Sequence, residues 1–132
     1  MREKLTEHFY KDEVECPDCG ALPSKAFMSR VEELRIDYGH PISVSSCARC
    51  VAHNREIGGA NGSHHIVSID GVDDEDTHGA IDIRMKPRSS DLRYELIRCA
   101  YSAGFTGIEI GTHHIHLDTR TTVPILWTGI SK

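Results

Sequence analysis

The sequence predicts an α+β domain, and two observations support this fold class. The chain has 132 residues, enough for one domain with one core, and its 39% hydrophobic and 27% charged residues are typical of a globular protein. Helical periodicity is strongest in the first half, whereas short alternating segments that indicate strands dominate the second half. We therefore expect a single domain over residues 1–132, with a small antiparallel sheet packed against helices.

The first half of the chain carries the clearest helix. Residues 1–23 read as an extended or short helical start with a turn at residues 16–20. A helix is predicted over 24–38, because Ser24 can cap its start and Gly39 follows its end. A short strand over 42–45 and a short helix over 50–57 come next. The apolar positions at helical spacing in the long helix are Phe27, Val31, Leu34 and Tyr38.

The second half begins with a polar loop over 60–77. Its acidic run, residues 73–76, lacks the spacing of an EF-hand, so we expect a solvated surface loop there. A second helix is predicted to begin at residues 89–91 and to end at Ala103, since Gly104 follows it. Strands are predicted over 80–85, 106–110, 112–118 and 123–127.

Charge and hydropathy exclude several function classes. The net charge of −5 argues against binding to nucleic acid or to an anionic membrane. No apolar run approaches the roughly 20 residues that span a bilayer. The first residues, from Met1 to Glu7, are too charged for a signal peptide. We therefore expect a soluble monomer that is made in the cytoplasm.

Histidine is unusually frequent, with nine residues in the chain, and five of them lie in two clusters. His64 and His65 form a pair in a loop. In the second cluster, over 113–118, strand alternation places His114 and His116 on one side, whereas His113 faces the other side unless the strand is bulged.

An aspartate lies between the two histidine clusters in sequence. Asp82 is flanked by Ile81 and Ile83 in a predicted strand. A loop histidine, a strand aspartate and a strand histidine can hold zinc while leaving the fourth position open, which is the catalytic pattern. Isolated histidines are more often surface or core residues, but the combined spacing favours a metal site.

The order of these motifs resembles that of the zinc D-Ala-D-Ala carboxypeptidases. Their superfamily also includes phage L-alanyl-D-glutamate endopeptidases and the hedgehog signalling fold. The resemblance extends over roughly residues 24–128 and rests on the ordered set rather than on one motif. The matching positions are Arg49, Asn54, Gly58-Gly59, Ser63-x-His65, Ala80-x-Asp82 and His114-x-His116.

This resemblance implies a hedgehog-like fold and a role for each matching residue. His65, Asp82 and His116 would be the zinc ligands. Arg49, with Ser63, would bind the substrate, and an arginine suits a carboxylate because its guanidinium can bind both oxygens. The remaining histidines would be catalytic: His114 would stabilise the oxyanion or assist proton transfer, and His113 occupies the position of the general base.

The sequence departs from the family pattern in two places. Residues 66–79 separate His65 from Ala80, which is ten residues more than the family usually has there. This inserted acidic loop could form a flap over the cleft, and it leaves His64 and His78 as alternative ligands. His113 also replaces the usual acidic base, although a neutral imidazole can accept a proton near pH 7.

Four of the five cysteines form two Cys-x-x-Cys pairs. Cys16 and Cys19 are separated from Cys47 and Cys50 by 27 residues, more than in a typical zinc ribbon. The alternatives are a structural zinc site, a disulfide or reduced thiols, and the lack of a signal peptide disfavours the disulfide. Cys99 falls in the apolar pattern of the second helix and is predicted to be core.

The leading function hypothesis is a zinc peptidase that acts on peptidoglycan peptides containing D-amino acids, as a carboxypeptidase or an endopeptidase. A phage lysis enzyme, released to the cell wall by a holin, would fit the small size and the absence of an export signal. The alternative is a catalytically weak, zinc-stabilised binding module of the same fold. A zinc-ribbon protein that binds nucleic acid would need a basic surface, which the charge of −5 disfavours.

Overall fold

The computed structural model describes residues 2–67 and 73–128. Within these residues, none of the helices is both long and apolar enough to cross a bilayer. The helices are α1 (Lys11–Val14), α2 (Lys25–Tyr38), α3 (Val51–Glu56) and α4 (Ser90–Ser102). The strands are β1 (Val44–Ser46), β2 (Ala80–Arg84), β3 (Gly107–Ile110), β4 (His114–Asp118) and β5 (Ile125–Thr128).

The five strands form one sheet in the order β1-β2-β4-β3-β5. The first three neighbouring pairs are antiparallel, whereas β5 runs parallel to β3. The single α+β domain is therefore confirmed, but the sheet is mixed rather than fully antiparallel. The exception is at the edge, where β5 returns to the sheet after the loop that follows β4.

Helix α2 begins and ends where the sequence predicts. The Ser24 hydroxyl accepts a hydrogen bond from the Phe27 backbone N–H at 3.0 Å, and Gly39 ends the helix with a φ of 76°. The apolar face of α2 packs with α4 on one face of the sheet. The core between them includes all four predicted apolar positions of α2 and Cys99 of α4.

The opposite face of the sheet carries polar side chains at matching positions. Ile115 and Leu117 of β4 are fully buried in the core, so His114 and His116 project from the other face. Pairing between strands extends this alternation to the neighbours of β4. One row of paired residues therefore crosses the whole sheet on the polar face: Ser46, Asp82, His116, Glu109 and Trp127.

A tight hairpin joins β3 to β4. The Gly111 N–H donates to the His114 carbonyl at 2.8 Å, so Thr112 and His113 form the turn. The strand predicted over 112–118 is therefore two residues shorter, and His113 lies at the hairpin tip instead of in the strand. A side chain at Gly111 would not fit this hairpin, because a Cβ there would collide with the His114 ring.

The described end of the inserted loop is anchored to α2. The Ser24 hydroxyl donates to the Asp76 carbonyl, and the Ala26 N–H donates to the Asp74 carbonyl at 2.9 Å. The acidic residues 73–76 are exposed, as predicted for a solvated loop. The predicted flap includes residues 68–72, which lie outside the described residues. In the described part, residues 73–79 bind the start of α2 and the chain after β4.

Candidate metal centre

Three predicted ligands meet on the polar face of the sheet. The Nε2 atom of His65 lies 3.3 Å from one Asp82 carboxylate oxygen, and the Nδ1 atom of His116 lies 2.9 Å from the other. The three ligand atoms lie within 4.8 Å of one another, as required to hold one metal ion. Two nitrogen ligands and one oxygen ligand match the donor set of catalytic zinc sites.

The orientation of His65 is fixed by the backbone around it. Its Nδ1–H donates to the Cys47 carbonyl at 2.7 Å, because a carbonyl can only accept. This hydrogen bond fixes the ring so that Nε2 is directed at Asp82. The Arg49 N–H donates to the His65 carbonyl at 2.8 Å, and the Val67 N–H donates to the Arg49 carbonyl at 2.7 Å. His65 is therefore held at a defined position although it follows a loop.

His116 is held from behind by a buried carboxylate. Its Nε2 lies 2.8 Å from Asp118 Oδ2, and the Arg120 guanidinium donates two hydrogen bonds to the same carboxylate. Gly107 lies opposite Asp118 and makes room for it, since a Cβ there would collide with the carboxylate. A histidine ligand whose second nitrogen bonds a carboxylate is the usual arrangement at protein metal sites.

Ionisation of the cluster follows from these contacts. Burial favours the neutral form of Asp82, but hydrogen bonds from His116 and His65 outweigh it and hold its pKa well below the usual range. Burial likewise opposes the charge on His116, whereas its bonds to Asp118 and Asp82 raise its pKa to about 9. Without a metal, the imidazolium of His116 therefore supplies the positive charge between the two carboxylates.

Arg49 lies at the edge of the cluster. Its Nη2 is 3.6 Å from Asp82 Oδ2, while its Nε donates to the Ser46 hydroxyl at 3.1 Å and its Nη1 to the Asn54 amide oxygen at 3.2 Å. Asn54 is buried and donates in turn to the Ala60 carbonyl at 2.9 Å. Two fixed neighbours thus orient the guanidinium, and they explain why an arginine and an asparagine are paired in the motif.

The other residues of the 63–78 segment take different positions. Ser63 accepts a hydrogen bond from the His65 N–H at 3.2 Å, so its hydroxyl stabilises the turn before the ligand. His64 packs against His78, with 5.5 Å between their ring centroids. The structure therefore brings His65, rather than His64 or His78, to Asp82 and His116.

The two residues expected to be catalytic, His113 and His114, line an open cleft. The cleft has a volume of about 750 Å³, and Asp82, Arg84, His113 and His114 contribute to its lining. His113 is exposed at the hairpin tip. His114 is half-buried, and its Nε2 lies 3.2 Å from Glu109 Oε1.

Glu109 is the residue that sequence reasoning missed. It is paired with His116 across the β3–β4 ladder, so the two residues lie side by side on the polar face. The alternation of Ile108, Glu109 and Ile110 already showed that Glu109 faces away from the core. Its position beside a ligand could be found only once the register of the two strands was known.

The cysteines divide between two parts of the structure. Cys16, Cys19 and Cys50 bring their sulfur atoms together, whereas Cys47 does not join them. Cys47 lies in the apolar core, where complete burial raises the pKa of its thiol far above the ordinary value and keeps it protonated. The predicted four-cysteine set therefore becomes a cluster of three, because residues 47 and 50 point in different directions.

An α+β domain that presents two histidines and an aspartate beside a cleft has the architecture of a metal-dependent hydrolase. The family model described as Peptidase M15 matches residues 5–118. The chain therefore belongs to the M15 family and is a metallopeptidase, which confirms the family and the class of enzyme predicted from its motifs. No curated protein matches the chain at a significant level.

Proposed function

We propose that the protein is a zinc peptidase that cleaves peptidoglycan peptides containing D-amino acids, next to a free carboxylate of the substrate. The observation that carries this proposal is the position of Arg49, whose guanidinium lies 3.6 Å from the Asp82 carboxylate at the candidate metal centre. An arginine there can bind a substrate carboxylate through two parallel hydrogen bonds, close to the bond to be cleaved.

The donor set supports zinc as the metal. His65, Asp82 and His116 would hold the ion, and the two histidines already bond a carbonyl and a carboxylate through their other nitrogens. A bound zinc ion supplies Lewis-acid chemistry, since it acidifies water and polarises a carbonyl. The protein itself holds the ligands, orients the substrate through Arg49 and moves protons.

We assign proton transfer to the His114–Glu109 pair. His114 lies on the face of the ligands and lines the cleft, and Glu109 bonds its Nε2 at 3.2 Å. A carboxylate at this nitrogen orients the ring, as is common for catalytic histidines. In the described contacts, the His113 ring bonds neither Asp82 nor Glu109. Its position at the hairpin tip favours a role at the mouth of the cleft.

Digestion of purified peptidoglycan by the zinc-loaded protein tests the function. Mass spectrometry of the products should reveal cleavage of a peptide bond beside a D-amino acid, with release of D-Ala or of a longer fragment. Products from these peptides should disappear after chelation and return when zinc is added. An intact substrate in the presence of loaded enzyme would instead favour the binding-module alternative.

Comparing two variants tests the assignment of the proton-transfer pair. His114→Ala should abolish turnover while zinc content is unchanged, and Glu109→Gln should lower kcat without a matching rise in KM. His113→Ala is the matched control, because it removes the neighbouring imidazole, and it should retain most of kcat. If His113→Ala lost turnover while Glu109→Gln kept a normal kcat, the general base would be His113 instead.

A further inference from the structure

A second cluster of potential metal ligands lies outside the cleft. Cys16 and Cys50 are buried and Cys19 is exposed, and their three sulfur atoms lie within 4.8 Å of one another. Cys16 and Cys19 belong to the turn after α1, whereas Cys50 directly precedes α3. The proposed peptidase mechanism uses none of these thiols.

The distance between the sulfur atoms fits a shared metal ion. Cys16 Sγ and Cys50 Sγ are 3.8 Å apart. Two thiolates bound to tetrahedral zinc, each with a Zn–S distance of about 2.3 Å, are separated by about 3.8 Å. A disulfide would require about 2.05 Å. The observed distance therefore corresponds to the edge of a zinc–thiolate tetrahedron rather than to a covalent bond.

The backbone around the cluster directs N–H groups at the sulfur atoms. The Cys50 N–H and the His53 N–H donate to Cys16 Sγ and Cys50 Sγ, each at 3.4 Å. The Gly20 N–H closes the Cys-Pro-Asp-Cys turn on the Cys16 carbonyl at 2.8 Å, and Gly20 has a φ of 79° that favours glycine. Such N–H groups stabilise negative charge on sulfur, which thiolate ligands carry.

We propose that Cys16, Cys19 and Cys50 bind a second zinc ion, with a structural role. The fourth position faces the exposed side of the cluster, where Asp18 Oδ2 lies 3.9 Å from Cys50 Sγ. Two of the thiols are buried and that of Cys19 is exposed, so an ion can reach the cluster from solvent on the side of Cys19. Thiolate ligands select zinc over magnesium or calcium.

The proposed ion would fasten the N-terminal segment to the chain that carries Arg49. Cys50 is the next residue after Arg49, and the Ala48 N–H donates to the Val14 carbonyl at 3.0 Å. The ion would add a second link between the same two segments. The hydrogen bond of Ala48 lies before Arg49 in the chain, and the metal link through Cys50 lies after it. Because α1 has only four residues, the segment before α2 has little regular structure of its own to keep it in place.

Metal counting on the full-length protein tests this site. The wild-type chain, purified with zinc and under reducing conditions, should contain two zinc ions by elemental analysis. Cys19→Ser should contain one, and because Cys19 is exposed this change should preserve the fold, which circular dichroism checks. His116→Ala should also contain one ion, and the double variant none. Cys47→Ala is the matched control and should retain both.

Cobalt replacement identifies which site each variant keeps. Thiolate-to-cobalt charge transfer gives intense near-ultraviolet absorption, which should be present in the wild type and in His116→Ala but absent in Cys19→Ser. Two ions in Cys19→Ser, or no charge-transfer band in the cobalt-loaded wild type, would overturn the proposal. So would a Cys16–Cys50 disulfide found by mass spectrometry. Because His116→Ala reports on the cysteine site alone, this result does not depend on the peptidase proposal.

Discussion

The two ligand clusters are built by different parts of the fold. Asp82 and His116 are neighbours across the β2–β4 ladder, and His65 is tied to the sheet by hydrogen bonds to the Cys47 carbonyl and the Arg49 N–H. The three cysteines instead come from a turn and from the residue before a six-residue helix. One cluster depends on sheet register, and the other depends on two loops.

Because the two clusters are built differently, we expect a metal ion to have a different role in each of them. In the sheet cluster, opposite charges on Asp82, His116 and Asp118 already compensate one another, so the geometry can persist without metal. In the cysteine cluster, the thiols contact one another, backbone N–H groups and the Asp18 carboxylate. We therefore expect metal loss to remove activity at the first cluster and to reduce stability at the second.

The largest expected effect is that of His116→Ala. This change removes one ligand and one partner of Asp82, so it should abolish metal binding at the sheet cluster and reduce turnover to the uncatalysed level. Zinc content and peptide hydrolysis, measured on the same preparation, check this result. If this variant kept the full zinc content of the wild type, the ion would be held by other residues, and the proposal that the sheet cluster binds the catalytic metal would be wrong.

Asp118→Asn should have the next largest effect. The amide no longer orients His116 as a carboxylate does, so zinc affinity should fall by about 10- to 100-fold, as measured by competition with a chromophoric chelator. Arg120→Gln is the matched control, because it leaves the Asp118 contact to His116 intact. If Asp118→Asn binds zinc as tightly as the wild type, the buried carboxylate serves the fold rather than the metal.

Arg49→Lys should lower kcat/KM by on the order of tenfold with no change in zinc content. Lysine keeps the positive charge but cannot form two parallel hydrogen bonds to a substrate carboxylate. Steady-state kinetics on a peptide with a free C-terminus measures this effect, and the same peptide with an amidated C-terminus is the control. Equal loss on both peptides would contradict carboxylate recognition.

The smallest predicted effect is on the stability of the metal-free protein. The folded pKa of His116 is raised to about 9, above its unfolded value of about 6.5, so its stabilising contribution is complete below pH 6.5 and is lost as pH rises to about 9. Thermal melts of the metal-free wild type should therefore decline across this range more than those of His116→Asn, which cannot titrate there. Parallel declines would show that His116 is not charged between its carboxylates.

The sequence alone predicted the elements that depend on local signals. The Ser24 cap, the left-handed Gly39 and the apolar spacing between them defined α2 to within one residue. The three residues of the sheet cluster were also identified in advance, since their order in the chain matched a known arrangement. The structure brings these three together, and their role as ligands remains a proposal.

Features that depend on long-range pairing were not predictable in this way. Glu109 was missed because its neighbour His116 is defined by strand register, and the parallel direction of β5 was missed because its partner β3 is not adjacent in sequence. Cys47 was grouped with Cys50 by spacing alone. In the structure its side chain enters the core while its carbonyl binds His65, so it supports the sheet cluster instead.

The inserted loop between His65 and Asp82 has a practical consequence for protein engineering. Its first end is held by backbone hydrogen bonds with Arg49 that also hold His65, and its described last residues are bound to α2 and Thr119. Closing a longer flexible loop between fixed ends costs only about 0.6 kcal/mol for each doubling of its length. Residues inserted between these two anchored ends, rather than within them, should therefore cost little stability and leave the backbone contacts of His65 in place.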